Sequence, residues 1–275
     1  MLIAAVAILV GFIILIWSAD LFVAGAASIA ENMGMSPIII GLTIVSLGTS
    51  APEVLVSFTA AMSDSGDLAI GNAIGSNIAN IGLVLGITVL VAPMMVHESC
   101  MKKEMPTLLL VTIGAGLLLI DDLLSVLEGW LMLATLALII FTMVRSQTKD
   151  PKLLEEAEEE FLSHLKPLRA WLTFALGLSL LVASSKLLVW GAIAIAAKLG
   201  VSELIIGLTI VAIGTSLPEL AATIASALRG HTEIAIGNVI GSNLFNLLAV
   251  MSIPGIVGAE TIEPDVLTRD YPSMV

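Results

Sequence analysis

The sequence predicts an all-α polytopic membrane protein made of two five-helix repeats with inverted topology, the second of which ends after its third helix. Of the 275 residues, 58% are hydrophobic and 12% are charged, which is more apolar surface than one soluble core can bury. Residues 41–80 return as residues 207–246 at a constant shift of 166 positions, with no insertion. A repeat of this period indicates a duplicated unit, and we expect the function where its two copies meet.

Apolar runs long enough to cross a bilayer define the helices in chain order. The first run has no basic segment before it and continues past Asp20, so it predicts a spanning helix and not a cleaved signal peptide. Five runs precede a polar segment and three follow it. They cover residues 2–30, 37–62, 68–96, 106–120 and 123–144, then 170–197, 204–228 and 234–259.

The repeats occupy residues 1–145 and 169–275, and residues 146–168 form a polar linker between them. Because five spans is an odd number, the second copy enters the membrane in the sense opposite to the first. With the N-terminus outside, every Lys and Arg of the connections except Lys198 and Arg269 lies inside. Cytoplasmic loops show this excess of basic residues, so we predict that the linker is cytoplasmic.

The second repeat is shorter than the first. Residues 103–106 open the fourth helix and align with residues 269–272 at the same shift, close to the last residue, Val275. Symmetry then predicts that most of a ninth helix and all of a tenth are missing, as in a truncated or incompletely represented chain. An intact mass of 28.6 kDa from a natural stop codon would contradict that expectation.

Two glutamates carry the chemistry that the sequence predicts. Glu53 and Glu219 each follow a Gly-Thr-Ser-x-Pro segment, at residues 48–52 and 214–218, in the middle of a span. Proline has no N–H, which frees the carbonyl four residues earlier, so we expect the helix to break there. Carboxylates inside a membrane need a cation or a proton as a partner. Freed carbonyls and hydroxyls beside them form an all-oxygen site of the kind that calcium and sodium prefer.

The helix after each break supplies a polar face. Polar side chains recur there at every fourth residue, so they share one side of the helix. They are Asn72, Ser76 and Asn80 in the first copy and Asn238, Ser242 and Asn246 in the second. Taken alone, such a stripe is more often a packing feature, so the duplicated glutamates carry the functional assignment.

Charges and cysteine usage outside these motifs exclude several functions. The formal net charge of −12 argues against nucleic acid as a partner, and the single Cys100 forms no intrachain disulfide. The three histidines lie in connections, so we predict no buried zinc site or nucleophilic dyad. Asp20 and Lys186 occupy the same repeat position on the first and sixth spans, and we expect a structural ion pair between them.

The doubled motif, GTSxPE followed by GNxxGSNxxN, resembles the two alpha-repeats of the calcium/cation antiporter superfamily, in its sodium/calcium exchanger branch. The resemblance covers residues 2–275 in layout and is strongest to the bacterial inner-membrane members. It implies ten helices in two inverted repeats, of which the second, third, seventh and eighth enclose the ions and the first and sixth slide past them. It also implies small inorganic cations and the lipid bilayer as partners, with neither a cofactor nor a protein partner.

The resemblance also implies a set of ion ligands. It places calcium at Glu53 and Glu219, with the backbone of Thr49 and Thr215. It places sodium beside the same glutamates at six further positions: Ser46, Ser50, Ser76, Ala212, Ser216 and Ser242. Asn80 and Asn246 match the flanking central positions, and Asn246 argues against potassium coupling because potassium-dependent relatives carry an aspartate there.

The sequence therefore predicts a secondary antiporter that exchanges Ca²⁺ for Na⁺ by alternating access. Two carboxylates balance the charge of one divalent or of two monovalent cations, so Ca²⁺ and Na⁺ are expected to compete for one site. Ca²⁺/H⁺ antiport by the same glutamates is the alternative. An intramembrane hydrolase using Ser50 or Ser216 would lack a His or Lys base in the same motif. A non-transporting scaffold would show no cation-dependent thermal stabilisation.

Overall fold

The computed structural model describes a nearly all-helical membrane protein. It covers residues 1–63, 65–94, 96, 98–147, 165–201, 210, 212–263 and 265–275. Most of the predicted linker and most of the first half of the seventh predicted span lie outside the described residues. Within the described part of the chain, five helices are long and apolar enough to cross a membrane, or six if one bent pair counts as a single span.

The first repeat begins with a long helix that ends at Gly34, whose left-handed backbone (φ 61°) suits a glycine. Its elements are α1 (Leu2–Met33), α2 (Pro37–Thr49), α3 (Ala51–Ala61), α4 (Gly66–Val91), α5 (Glu98–Lys102), α6 (Glu104–Leu118), β1 (Leu123–Leu124) and α7 (Val126–Gln147). The predicted spans therefore hold to within a few residues at their ends. The fourth is short, as the sequence indicates.

The described helices of the second repeat correspond to those of the first through α11. Its described elements are α8 (Pro167–Lys198), α9 (Ala212–Thr215), α10 (Leu217–Leu228), α11 (Thr232–Val257), β2 (Glu260–Thr261), the π-helical turn α12 (Val266–Asp270) and α13 (Tyr271–Met274). The predicted eighth span is confirmed as α11. Of the predicted seventh span, the structure describes residue 210 and residues 212–228, which contain α9 and α10.

The predicted helix breaks are confirmed. α2 and α3 are bent by 46° relative to each other, and the residue between them, Ser50, has φ −82° and ψ 4°. Ser216 separates α9 from α10 in nearly the same conformation, with φ −86° and ψ 2°. A proline lies in the first turn after each break, where a missing N–H costs nothing. Local sequence alone is therefore sufficient to place both breaks.

α1 and α8 form an antiparallel pair with very close backbone contact. A methyl group on Gly25 would lie 2.5 Å from Phe174 N, and one on Gly177 would lie 2.5 Å from Phe22 N. The Phe22 and Phe174 rings stack with their centroids 4.7 Å apart. Small residues at such crossings let membrane helices approach closely. The two helices therefore pack as one unit that belongs to both repeats.

Two apolar clusters hold the remaining helices together. The larger one packs α4, α6 and α7 around α11, and the second packs α1 and α8 against α10. A short antiparallel ladder, Leu123 with Thr261 and Leu124 with Glu260, joins the repeats at one end of the molecule. No pattern in the sequence predicts this ladder, because each strand is only two residues long and the paired segments lie far apart in the chain.

Candidate functional site

The two helix breaks bring the predicted glutamates together. Glu53 is 1% exposed and Glu219 is 2% exposed, and they lie close enough for their negative charges to repel each other. Ser50, at the first break, donates a hydrogen bond from Oγ to Glu219 Oε1 at 3.2 Å. The Oε2 atom of each glutamate has no hydrogen-bond partner among the described residues. Each carboxylate therefore keeps an oxygen available inside the protein.

Hydroxyl groups surround this pair of carboxylates. Ser46 is fully buried and donates to Leu42 O at 2.7 Å, which leaves its oxygen lone pairs free to accept. The hydroxyls of Ser216 and Ser242 are buried and have no partner within the described part of the chain. An oxygen atom that is buried without a donor is unfavourable by roughly 1–3 kcal/mol. Oxygen atoms of this kind, like those of the two carboxylates, suit a cation as ligands.

Asn72 and Asn238 hold the backbone beside the glutamates. Asn72 donates to Glu53 O at 3.2 Å and to Ser57 Oγ at 3.1 Å. Its repeat equivalent, Asn238, donates to Thr223 Oγ1 at 2.9 Å and approaches Glu219 O at 3.5 Å. The sequence placed both residues on the polar face but not in the ligand set. The structure shows that they orient the glutamate-bearing helices.

The asparagines further along the same helices meet across the repeats. Asn80 Nδ2 donates to Asn243 Oδ1 at 3.2 Å, and Asn77 Nδ2 donates to the Asn243 carbonyl at 3.4 Å. The Oδ1 atoms of Asn80 and Asn246 are buried without a partner among the described residues. Each of these two residues also begins a π-helical turn, a local distortion that is frequent at functional sites.

Sequence reasoning missed Asn77, Asn243 and Ser185. The first two belong to the repeated motif and are separated by the same 166 positions, so the repeat itself was a signal that could have found them. Ser185, on α8, donates to Gly214 O at 2.9 Å. That carbonyl is the one freed by the proline of the second break. No local pattern points to a donor on another helix.

The structure places most of the predicted ligands at the centre of the molecule. Nine of them are buried along with Glu219: Ser46, Thr49, Ser50, Glu53, Ser76, Asn80, Ser216, Ser242 and Asn246. Thr49 Oγ1 lies 3.2 Å from Asn238 Oδ1, which ties the first break to α11. Thr215 is half-buried and lines a cavity of about 160 Å³ with Ser76 and Asn72. Ala212 begins α9, and its side chain lies outside the described residues.

The predicted ion pair between Asp20 and Lys186 is wrong. Asp20 instead pairs with Arg229, the residue that follows α10, through a hydrogen bond from Arg229 Nε to Asp20 Oδ1. Lys186 is exposed and lines a cavity between α8 and the end of α3. The contacts of Gly25 with Phe174 and of Gly177 with Phe22 fix the register of the antiparallel pair, which places Lys186 about two helical turns away from the level of Asp20.

Comparisons with known proteins identify the family. The profile of the family described as "Sodium/calcium exchanger protein" matches residues 3–145 and 169–275. The chain belongs to the sodium/calcium exchanger family. CaxA of Alkalimonas amylolytica is 49% identical over 273 residues, which are 98% of this chain and 86% of that protein. The inner membrane protein YrbG of Escherichia coli (strain K12) is 38% identical over 281 residues, with 100% of this chain and 86% of YrbG covered.

A solved structure of a sodium/calcium exchanger has the same fold. The exchanger NCX_Mj, soaked with zero Na⁺ and Ca²⁺, superposes with a TM-score of 0.86 and 31% identity, covering 100% of this chain and 89% of NCX_Mj. Membership of this exchanger family makes the chain a membrane-embedded cation antiporter of the calcium type. The family consists of transporters, so the hydrolase alternative has no support.

Proposed function

We propose that this exchanger carries Ca²⁺ in one direction and Na⁺ in the other by alternating access at Glu53 and Glu219. The observation that supports the proposal best is a pair of fully buried carboxylates, each with an oxygen that has no hydrogen-bond donor. No Lys or Arg is hydrogen-bonded to either one among the described residues. Two such negative charges are stable inside a membrane only when a cation or protons neutralise them.

The charge balance explains why two different ions would compete. One Ca²⁺, or two Na⁺, neutralises both glutamates, and either choice uses the same carboxylate oxygens. The remaining ligands proposed for calcium are the Thr49 and Thr215 backbones at the helix breaks. Those proposed for sodium are Ser46, Ser50, Ser76, Ala212, Ser216 and Ser242, with Asn80 and Asn246 at the centre. All supply hard oxygen atoms, which both ions prefer.

Isotope flux in proteoliposomes tests the proposal. We expect an outward sodium gradient at fixed pH on both sides to drive calcium uptake into wild-type vesicles. Glu53→Gln and Glu219→Gln should each reduce this flux to the level of protein-free vesicles, because one carboxylate no longer balances a divalent ion. Glu128→Gln is the matched control, since Glu128 instead accepts hydrogen bonds from Ser125 at the start of α7, and its flux should stay at the wild-type level.

The same experiment distinguishes sodium from proton coupling. A pH gradient without sodium should drive no calcium flux if the proposal is right. Calcium movement that follows the pH gradient and ignores sodium would establish Ca²⁺/H⁺ antiport by the same glutamates. Wild-type exchange rates in both glutamine variants would show that the site itself is wrongly assigned.

Calcium binding can be tested without transport. A ligand that binds only the folded protein stabilises it by about 2.7 kcal/mol at a concentration 100 times its Kd. We therefore expect Ca²⁺, and separately Na⁺, to raise the thermal unfolding midpoint of purified protein. Glu219→Gln should abolish the Ca²⁺ effect, while Glu128→Gln should retain it.

A further inference from the structure

A large cavity and a closely packed interface occupy equivalent positions in the two repeats. The cavity, of about 690 Å³, lies between α8 and the end of α3 and reaches Gly214 and Thr215 at the second helix break. We call this side the open face. The residues 166 positions away from its lining lie mainly on α1 and α10. We call the interface between these two helices the closed face.

Burial differs sharply between these two faces. On the open face Val56 is 37% exposed and Leu68 is 61% exposed, whereas their equivalents, Ala222 and Ile234, are 0% exposed. The buried pair packs with Val23 and its neighbours on α1 in one apolar cluster. The repeats therefore differ in conformation at this interface, although they agree at the helix breaks. The cavity of the open face extends to the second helix break, whereas the equivalent residues of the closed face are buried.

Charged residues at the rim differ in the same way. On the closed face Asp20, from α1, pairs with Arg229 at the end of α10. The equivalent residues on the open face are Lys186 and Ser63, and both line the cavity. A lysine and a serine cannot form an ion pair. The closed face therefore has an ion pair that resists its opening, and the equivalent pair of residues on the open face does not.

The two faces are mechanically linked through α1 and α8. These helices pack backbone to backbone at Gly25 and Gly177, so they move together more easily than they separate. A displacement that brings α8 against α3 must carry α1 away from α10. That displacement closes the cavity beside Lys186 and separates Asp20 from Arg229. The ion pair therefore opposes the change from one accessible face to the other.

We propose that Asp20 and Arg229 form a latch that keeps the closed face shut and favours the state in which the ion site opens beside Lys186. The inference rests on the proposed alternating-access function. Under the predicted orientation, the closed face is cytoplasmic and the open face is outside. Asp20 and Arg229 are positioning residues, because they contact each other and not the transported ion. Among the described residues no ion pair involves Lys186, so the two faces differ in this contact.

Thiol labelling of the closed face tests the latch directly. Cys100 is the only cysteine, so Cys100→Ala gives a cysteine-free background. Ser226→Cys then reports on the closed face, because Ser226 is fully buried and its equivalent, Ala60, lines the cavity. We expect Asp20→Asn to increase its labelling rate by a membrane-impermeant maleimide roughly two- to fivefold, the range that a partly exposed ion pair supports. Labelling needs no transported ion, so the result is independent of the Ca²⁺/Na⁺ assignment.

A double-mutant cycle separates the latch from general loosening of the fold. Arg229→Gln should produce the same increase, and Asp20→Asn should add nothing in that background. Arg229→Lys retains the positive charge and should restore slow labelling. Arg145→Gln, which removes a basic residue from the end of α7, should leave the rate unchanged. Equal labelling in wild type, Asp20→Asn and Arg229→Gln would overturn the proposal, as would additive increases in the double variant.

A reversible cross-link provides a second test, in which one variant is compared before and after reduction. In the Cys100→Ala background, Asp20→Cys and Arg229→Cys are joined by a short bis-methanethiosulfonate reagent. We expect the joined protein to lose calcium flux and to regain it after addition of a reductant, because the two residues must separate in each cycle. Undiminished flux in fully cross-linked protein would show that they stay together throughout transport.

Discussion

α4 and α11 carry the same motif and yet lie in opposite surroundings. In α4, 33% of the most apolar 18-residue window is buried inside the protein, whereas in α11 the share is 94%. A methyl group on Gly241 of α11 would lie 2.5 Å from both Leu42 O and Ser46 Oγ, while one on Gly75 of α4 would have no described atom within 4 Å. Within the sequence given, α11 is therefore enclosed on more sides than α4, and α2 packs against it at Gly241.

The largest difference between the two copies should appear when a side chain replaces these glycines. Gly241→Val must separate α11 from α2, and we expect it to reduce the free energy of unfolding by about 3 kcal/mol or more. Gly75→Val should leave that free energy nearly unchanged, although it fills the small cavity beside Ser76 and so blocks transport. Denaturant titration in mixed micelles measures both. Equal losses of stability would show that α4 is packed as tightly as α11.

A smaller difference is expected for the asparagines beside the glutamates. Asn238→Ala removes the partner of Thr223 and leaves Thr49 only its contact with Ser46 O at 3.3 Å, which costs about 1–3 kcal/mol. Asn72 is only half-buried and water can replace its contacts, so Asn72→Ala should cost less than about 1 kcal/mol. The KM for calcium should also rise more for Asn238→Ala, because Asn238 contacts both helix breaks. A larger rise in the KM for calcium in Asn72→Ala would show that Asn72 matters more for calcium binding than Asn238.

The smallest difference concerns the serines at the breaks. Ser50 donates to Glu219, so Ser50→Ala should reduce ion-free stability by about 1 kcal/mol. The Ser216 hydroxyl is buried and has no partner within the described residues, so Ser216→Ala should not reduce ion-free stability and should raise it. Both variants should raise the KM for sodium, because both remove a proposed ligand. Thermal unfolding with and without Na⁺ distinguishes the two effects, and identical ion-free midpoints would contradict the Ser50 contact.

The spans, the two helix breaks and the pair of glutamates could all be predicted from the order of residues alone. These features follow from local chemistry. An apolar run of membrane length predicts a helix, and a proline shortly after Gly-Thr-Ser predicts a break in that helix, whatever the surroundings of the segment. The repeat then showed that the glutamates belong together. Nothing beyond the order of residues was needed for these steps.

What Asp20 contacts and which face is open depend on how the helices pack. The repeat shift assigns Asp20 and Lys186 the same position, but the register between α1 and α8 keeps the two side chains apart. The partner of Asp20 is Arg229, 209 positions away, and no local pattern could identify it. Likewise, Gly71 and Gly237 are equivalent in sequence, yet a methyl group on Gly237 would meet the backbone of α2, while one on Gly71 would have no described atom within 4 Å.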